Sequence, residues 1–290
     1  MPRGHQRLRT AFIISLVILF AEVLGGIISG SLALLSDAGH VLTDSFALAM
    51  SFIASRLSQR PSDYRATYGY QRIGLLAAVI NGSTLLLVSG YIFYEAVRRF
   101  TSSFEINPSV MLPVAVFGLF GNALMALVLS KDHHDLNIKS AWLHIVGDLL
   151  ASVGVVIASV IIILTGWRVA DPIAGMVVGI LILVGGLRVV RDALWVFLEF
   201  VPRGIEPESL VEKIRAVEGV RDVHDVHIWS ISHGRVAFSA HVLVKDQLLS
   251  DAERIRKAVE EVLEKEGIDH SVIQLEYACS GTNGGIYCQQ

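Results

Sequence analysis

The sequence predicts a polytopic α-helical membrane protein of six transmembrane helices, followed by a small C-terminal α+β domain outside the bilayer. Three observations predict it. Of the 290 residues, 53% are hydrophobic; the mean hydropathy is +0.57; and runs of membrane-crossing length cease at about Pro202. An ordinary soluble domain does not reach that apolarity. A spanning helix takes roughly 20 apolar residues. Such runs lie at Thr10–Gly30, Leu32–Leu57, Ile73–Val97, Pro108–Ser130, Ser140–Gly166 and Pro172–Phe197.

The first run follows a basic stretch, MPRGHQRLRT, as in a signal peptide. Its apolar part, Ala11 to Ser29, is long enough to span, and no small-residue cleavage site closes a short core, so it reads as the first span. Asn107-Pro108 and Asp171-Pro172 read as helix starts, a capping side chain followed by proline in the first turn. Gly26/Gly30 and Gly175/Gly179 read as small-residue pairs for close helix packing. Asn81-Gly82-Ser83 has the glycosylation pattern, but it sits inside the third span, where that modification does not occur. Arg3, Arg7, Arg9, Arg56, Arg60, Arg65, Arg72, Lys131, Lys139, Arg188 and Arg191 fall on one side of the spans, with Arg98, Arg99 and Arg168 on the other. The positive-inside tendency then puts both termini in the cytoplasm, and the short loops point to the cytoplasmic membrane.

Beyond the spans the periodicity changes. Glu206–Val217 reads as an amphipathic helix, Arg221–Ser230 and Arg235–Val244 as strands turned at His233-Gly234, Asp251–Glu266 as a charged helix, and Ser271–Tyr277 as a last strand. This αββαβ order gives a two-layer domain of ferredoxin-like type. The predicted boundaries are 1–201 for the membrane domain, 202–277 for the cytoplasmic domain and 278–290 for a flexible tail. The two cysteines, Cys279 and Cys288, lie near the end and form no disulfide framework. A formal net charge of -3 with no basic face excludes nucleic acid as the expected partner.

Two His-x-x-x-Asp pairs interrupt the apolar runs: His40/Asp44 in the second span and His144/Asp148 in the fifth. Residues four apart share one helix face. An ionisable group at bilayer depth costs roughly 2.5–3.5 kcal/mol on the milder insertion scale, so two matching pairs need a purpose. Two imidazoles and two carboxylates make a four-coordinate set suited to Zn²⁺. Glu22, Asp37 and Asn122 are further polar groups at depth, read either as lining a path for the ion or as packing residues. Four protein ligands leave no position for a catalytic water. Val41 and Ile145 stand where an intramembrane metalloprotease of the His-Glu-x-x-His type carries its glutamate, so no enzyme is expected.

The run from Gly30 to Asp44 (GSLALLSDAGHVLTD), His144-Ile-Val-Gly-Asp148 and Val223-His-Asp-Val-His-Ile-Trp229 resemble the cation diffusion facilitators, in the zinc-transporting branch. The resemblance covers nearly the whole chain. It implies a homodimer, joined through the C-terminal domain, that exports Zn²⁺ from the cytoplasm in exchange for protons by alternating access. Its transport ligands fall on His40, Asp44, His144 and Asp148, and His40 implies a preference for zinc over cadmium. Cd²⁺, Co²⁺ or Fe²⁺ as cargo, or a non-conducting metal sensor, are the alternatives. The resemblance also implies a lock between Arg72 and Glu199, and a regulatory metal site from His224, His241 and Glu276. Gln274 stands where some members have a ligating histidine. Strand alternation puts His224 and His227 on opposite faces. Proton exchange has its own chemical basis, since imidazole binds metal only when neutral and titrates near pH 6.5 unperturbed.

Overall fold

The computed structural model describes residues 3–129, 136–232 and 234–278, without the side chains of 3–9, 129, 136–141, 143 and 144. Six long helices come first: α1 (Arg3–Ser29), α2 (Leu32–Ser58), α3 (Ile73–Thr101), α4 (Pro108–Leu129), α5 (Leu136–Thr165) and α6 (Ala170–Phe197). Five of them are long and apolar enough to cross a membrane; α2 has the length, and Asp37, His40 and Asp44 dilute its apolarity. Large apolar side chains point outward along these helices, among them Phe20, Leu87, Phe120 and Leu164. Apolar surface on that scale is stable against lipid and not against water. The remaining elements are α7 (Pro207–Arg215), β1 (Val220–Ser232), β2 (Arg235–Val244), α8 (Leu249–Lys265) and β3 (His270–Glu276). The αββαβ order is the expected one.

The chain divides into two compact units, Met1–Met50 with Ile80–Val190, and Ser51–Val79 with Arg191–Gln290. In the first, Ala33 and Leu34 of α2 pack with Met111 and Ala115 of α4 and with Val155, Ala158 and Ile162 of α5. Leu85 and Ile92 of α3 pack with Val178 and Ile182 of α6. Gly175 and Gly179 let α6 approach Leu32 and Ile92 closely, as the small-residue pattern predicts. Gly26 lies against Leu35, but Gly30 serves another purpose: at φ 70° it ends α1 in a left-handed turn. A side chain there would also strike the Glu105 carbonyl oxygen, 2.6 Å from the position of its Cβ.

Asp171 departs from expectation more sharply. It does not cap its own helix. Its fully buried carboxylate caps α2 instead, accepting from the Leu32 N–H (2.8 Å), the Ala33 N–H (3.1 Å) and the Ser31 hydroxyl (2.5 Å). Arg99 of α3 donates to the same carboxylate (3.2 Å), to the Gly30 carbonyl (2.6 Å) and to Glu95 (3.0 Å). A negative charge at a helix N-terminus meets both free N–H groups and the positive end of the dipole. The start of α2 is thereby tied to α3 and α6. Asn107 does act as predicted, accepting from the Ser109 N–H of α4.

In the second unit β2 is central, antiparallel to β1 and parallel to β3. Phe238, Ala240, Val242 and Val244 of β2 face Leu210, Val211 and Ile214 of α7 and Ile255, Val259 and Leu263 of α8. Both helices therefore cover one face of the sheet. The other face carries His241 and Ser239 of β2, with His224 and His227 opposite them in register. That corrects the alternation argument. A bulge at Asp225–Val226 inserts an extra residue, with Asp225 at φ 54°, so two histidines three apart return to the same face.

Candidate metal sites

In the first unit, α2 and α5 bring candidate ligands together. His40 Nε2 lies 3.3 Å from Asp148 Oδ1 and 3.8 Å from Asp44 Oδ2. A tetrahedral zinc ion with bonds of about 2.0–2.1 Å sets its ligand atoms about 3.3 Å apart, so His40 and Asp148 stand at the separation of two ligands of one ion, with Asp44 somewhat farther from the imidazole. Asp148 is buried, and His40 and Asp44 are partly so. His144 occupies α5 one helical turn before Asp148; its side chain lies outside the described residues.

Around this cluster runs a polar chain through four helices. Asn122 of α4 donates to Ser152 of α5 (2.9 Å), and Ser152 donates to Asp37 of α2 (3.2 Å). Asp37 in turn meets the carboxyl group of Glu22 on α1. All four residues are buried. Of the three polar groups noted at depth, none is a lone packing residue: they form one network, and Ser152 is the member that the sequence did not single out. The i, i+4 spacing of Asp148 and Ser152 was the signal available.

The second unit holds another cluster. His224, His241 and Glu276 offer ligand atoms that all lie within 4.8 Å of one another. His241 Nδ1 is 3.0 Å from Glu276 Oε1, and His224 Nε2 is 3.5 Å from Glu276 Oε2. His224 Nδ1 and Glu276 Oε2 are buried without a hydrogen-bond partner. Gln274, beside His241 across the parallel pairing, donates to Glu276 (2.8 Å). Asp225 was missed in the sequence. Its carboxylate stands 3.5 Å from His241 Nε2 and 3.2 Å from His227 Nε2, because the bulge turns it onto the histidine face. His227 is half exposed and faces Asp225 and not Glu276. His233, Cys279 and Cys288 lie outside the described residues.

Arg72 and Glu199 form an ion pair at 2.8 Å, both about half exposed. Glu199 ends α6 in the left-handed conformation, φ 60°, with the Glu199 N–H donating to Val196 O and the Phe200 N–H to Trp195 O. That is the C-terminal motif in which glycine is usual at this position. A glutamate there accepts strain of about 1 kcal/mol, and its carboxylate reaches Arg72.

Long apolar helices with an imidazole and carboxylates converging inside them, joined to an αββαβ domain, define an integral membrane protein that handles cations. Residues 8–198 match the cation efflux transmembrane domain, and residues 202–278 match the cytoplasmic domain of cation efflux proteins. The chain belongs to the cation efflux family, whose members are multi-pass membrane transporters and not enzymes. It is 40% identical to the "Cadmium, cobalt and zinc/H(+)-K(+) antiporter" of Bacillus subtilis, over 96% of this chain and 91% of that protein. It is 37% identical to "Zinc transporter ZitB" of Escherichia coli, over 95% and 89%. Identity is also 37% to "Metal cation efflux system protein CzcD" of Cupriavidus metallidurans, over 96% and 88%.

Proposed function

We propose that this chain exports Zn²⁺ from the cytoplasm across the cytoplasmic membrane in exchange for protons, with both termini in the cytoplasm. The observation that carries the reading is the meeting of His40 on α2 with Asp148 on α5 at 3.3 Å, the spacing of two ligands of one ion, with Asp44 beside the same imidazole. His144 completes the set as the fourth ligand. A nitrogen-and-oxygen donor set favours zinc over the hard cations Mg²⁺ and Ca²⁺. The printed names of the relatives, which include zinc, cadmium and cobalt, support a divalent cargo of this kind.

Coupling follows from ligand chemistry. Zinc needs neutral imidazole and ionised carboxylates, so arrival of the metal expels protons and arrival of protons expels the metal. In a membrane that alternately opens the site to each side, the proton gradient then drives zinc outward.

We assign His224, His241 and Glu276 as a regulatory zinc site, with Asp225 orienting His241, in a C-terminal domain through which two copies associate. The buried, unpartnered nitrogen of His224 and oxygen of Glu276 support it, since polar atoms left so cost stability that a bound ion returns. The strained Glu199 supports Arg72–Glu199 as the lock implied by the resemblance.

The test is zinc uptake into inside-out proteoliposomes under an imposed pH gradient, with a zinc-responsive dye and a pH-responsive dye in the lumen. The reading predicts opposite movements of zinc and protons, both abolished in Asp148→Ala. Zinc flux that persists at full rate after an ionophore collapses the gradient overturns the antiport.

A further inference from the structure

Residues 59–72 join α2 to α3 and therefore lie at one face of the membrane. Arg56 at the end of α2, and Arg60 and Arg65 in the loop, have no carboxylate partner among the described residues. The guanidinium of Arg56 lies over the Phe52 ring and that of Arg65 over the Tyr64 ring, each 5.2 Å from the centroid. The loop contains a single acid, Asp63, and its carboxylate is taken up by groups of the loop itself. Its Oδ1 accepts from the N–H groups of Arg65 (2.8 Å) and Ala66 (2.9 Å), and its Oδ2 from the Tyr70 hydroxyl (2.9 Å). Asp63 thus fixes the loop's shape and leaves the positive charge of Arg65 facing outward.

Next to this loop is a cavity of about 400 Å³, lined among others by Arg65, Tyr68, Gln71, Arg72, Glu199 and Trp229. Its charge is unbalanced, two guanidinium groups against one carboxylate. Arg72 uses Nη2 towards Glu199, and a guanidinium has five N–H donors, so donors remain for a second anion. Gln71 is fixed in place by the Ser232 hydroxyl, which donates to its Oε1 (3.0 Å). The aromatic side chains give the cavity walls that tolerate glycerol and acyl carbon, and Tyr64 and Tyr68 are exposed where tyrosine favours the lipid headgroup layer. Planar guanidinium forks match phosphate oxygens, and arginines clustered beside a span draw anionic lipid.

We propose that this cavity binds the phosphate of an anionic phospholipid headgroup, held by Arg65 and by the free donors of Arg72. The site adjoins the Arg72–Glu199 pair, since both residues line the cavity. The inference goes beyond the transport reading, and its test reads binding, so the two fail separately.

Full-length protein in non-ionic detergent is titrated with short-chain phosphatidylglycerol, with short-chain phosphatidylcholine and with glycerol phosphate, and bound molecules per chain are counted by native mass spectrometry. The expected result is saturation at one phosphatidylglycerol per chain, weakened at least tenfold in Arg65→Gln and unchanged in Arg203→Gln, whose arginine is outside the cavity. Phosphatidylcholine and glycerol phosphate bind far more weakly. Equal binding of glycerol phosphate moves the site to a soluble phosphate and overturns the lipid assignment. Equal binding of phosphatidylcholine, or an Arg65→Gln protein that keeps its fold and binds phosphatidylglycerol as before, overturns the phosphate site altogether.

Discussion

His40 Nε2 stands closer to Asp148 Oδ1, on another helix, than to Asp44 Oδ2 on its own: 3.3 Å against 3.8 Å. The imidazole therefore bridges α2 and α5 and does not merely close a pair within α2. A group that joins two helices senses any change in their separation.

Removing that bridge should abolish transport and spare the other cluster. In Asp148→Ala, zinc flux in proteoliposomes is expected to fall by at least ~100-fold, more than the 10–100-fold typical of losing a supporting group around a metal. Equilibrium dialysis of the same protein should still show zinc held by the His224, His241 and Glu276 cluster. Loss of both would mean that the two sites are not independent.

Asp225 tests the second cluster. On an Asp148→Ala background, Asp225→Gly keeps a residue suited to φ 54° and removes only the carboxylate beside His241. Zinc affinity of the cluster is expected to drop about 10–100-fold, as for other partners that orient a ligating histidine. Asp225→Ala should add a stability loss of about 1 kcal/mol from strain in the left-handed conformation. Competition against a chelating dye and a melting curve separate the two effects.

Glu199→Gly should separate strain from charge. Glycine relieves about 1 kcal/mol at that helix end, while an exposed ion pair contributes less than about 1 kcal/mol. The melting temperature should move little or rise. If Arg72–Glu199 is a working lock, zinc turnover changes severalfold while the binding constant at the transport site holds. Glu199→Gln, which loses the charge and keeps the strain, should match it in turnover and melt lower.

Asp171→Ala removes the cap of α2 and leaves Arg99 with Glu95 as its carboxylate partner. Losing a helix cap costs about 0.5–2 kcal/mol and losing a charge-assisted hydrogen bond about 1.5–3 kcal/mol, so a marked fall in thermal stability in detergent is expected. Asp171→Asn keeps one acceptor oxygen and should fall between. A melting temperature for Asp171→Ala equal to wild type would show that water or another group caps α2.

The span pattern and the element order of the C-terminal domain were legible because each is written locally, in apolar run length and in the 3.6- and 2-residue periods. The candidate ligand residues were legible for a related reason. Ionisable groups at depth are conspicuous, and i, i+4 spacing guarantees a common face. Asp225 and the cap at Asp171 were hidden, since a one-residue bulge reverses strand alternation without a sequence mark, and a carboxylate at a helix start does not reveal whose N–H groups it will meet.

The sequence by itself determined the class of protein, its six helices, its αββαβ domain and the residues that carry chemistry, because burial preference and periodicity are properties of short segments. Only the tertiary structure decided which of those residues meet. His40 reaches Asp148 across helices, His224 and His227 share a face, and Asp171 serves α2 in place of its own helix. Each of these depends on the separation of elements distant in the chain, and that distance is set by packing and hydrogen bonding among helices and strands, which no local pattern encodes.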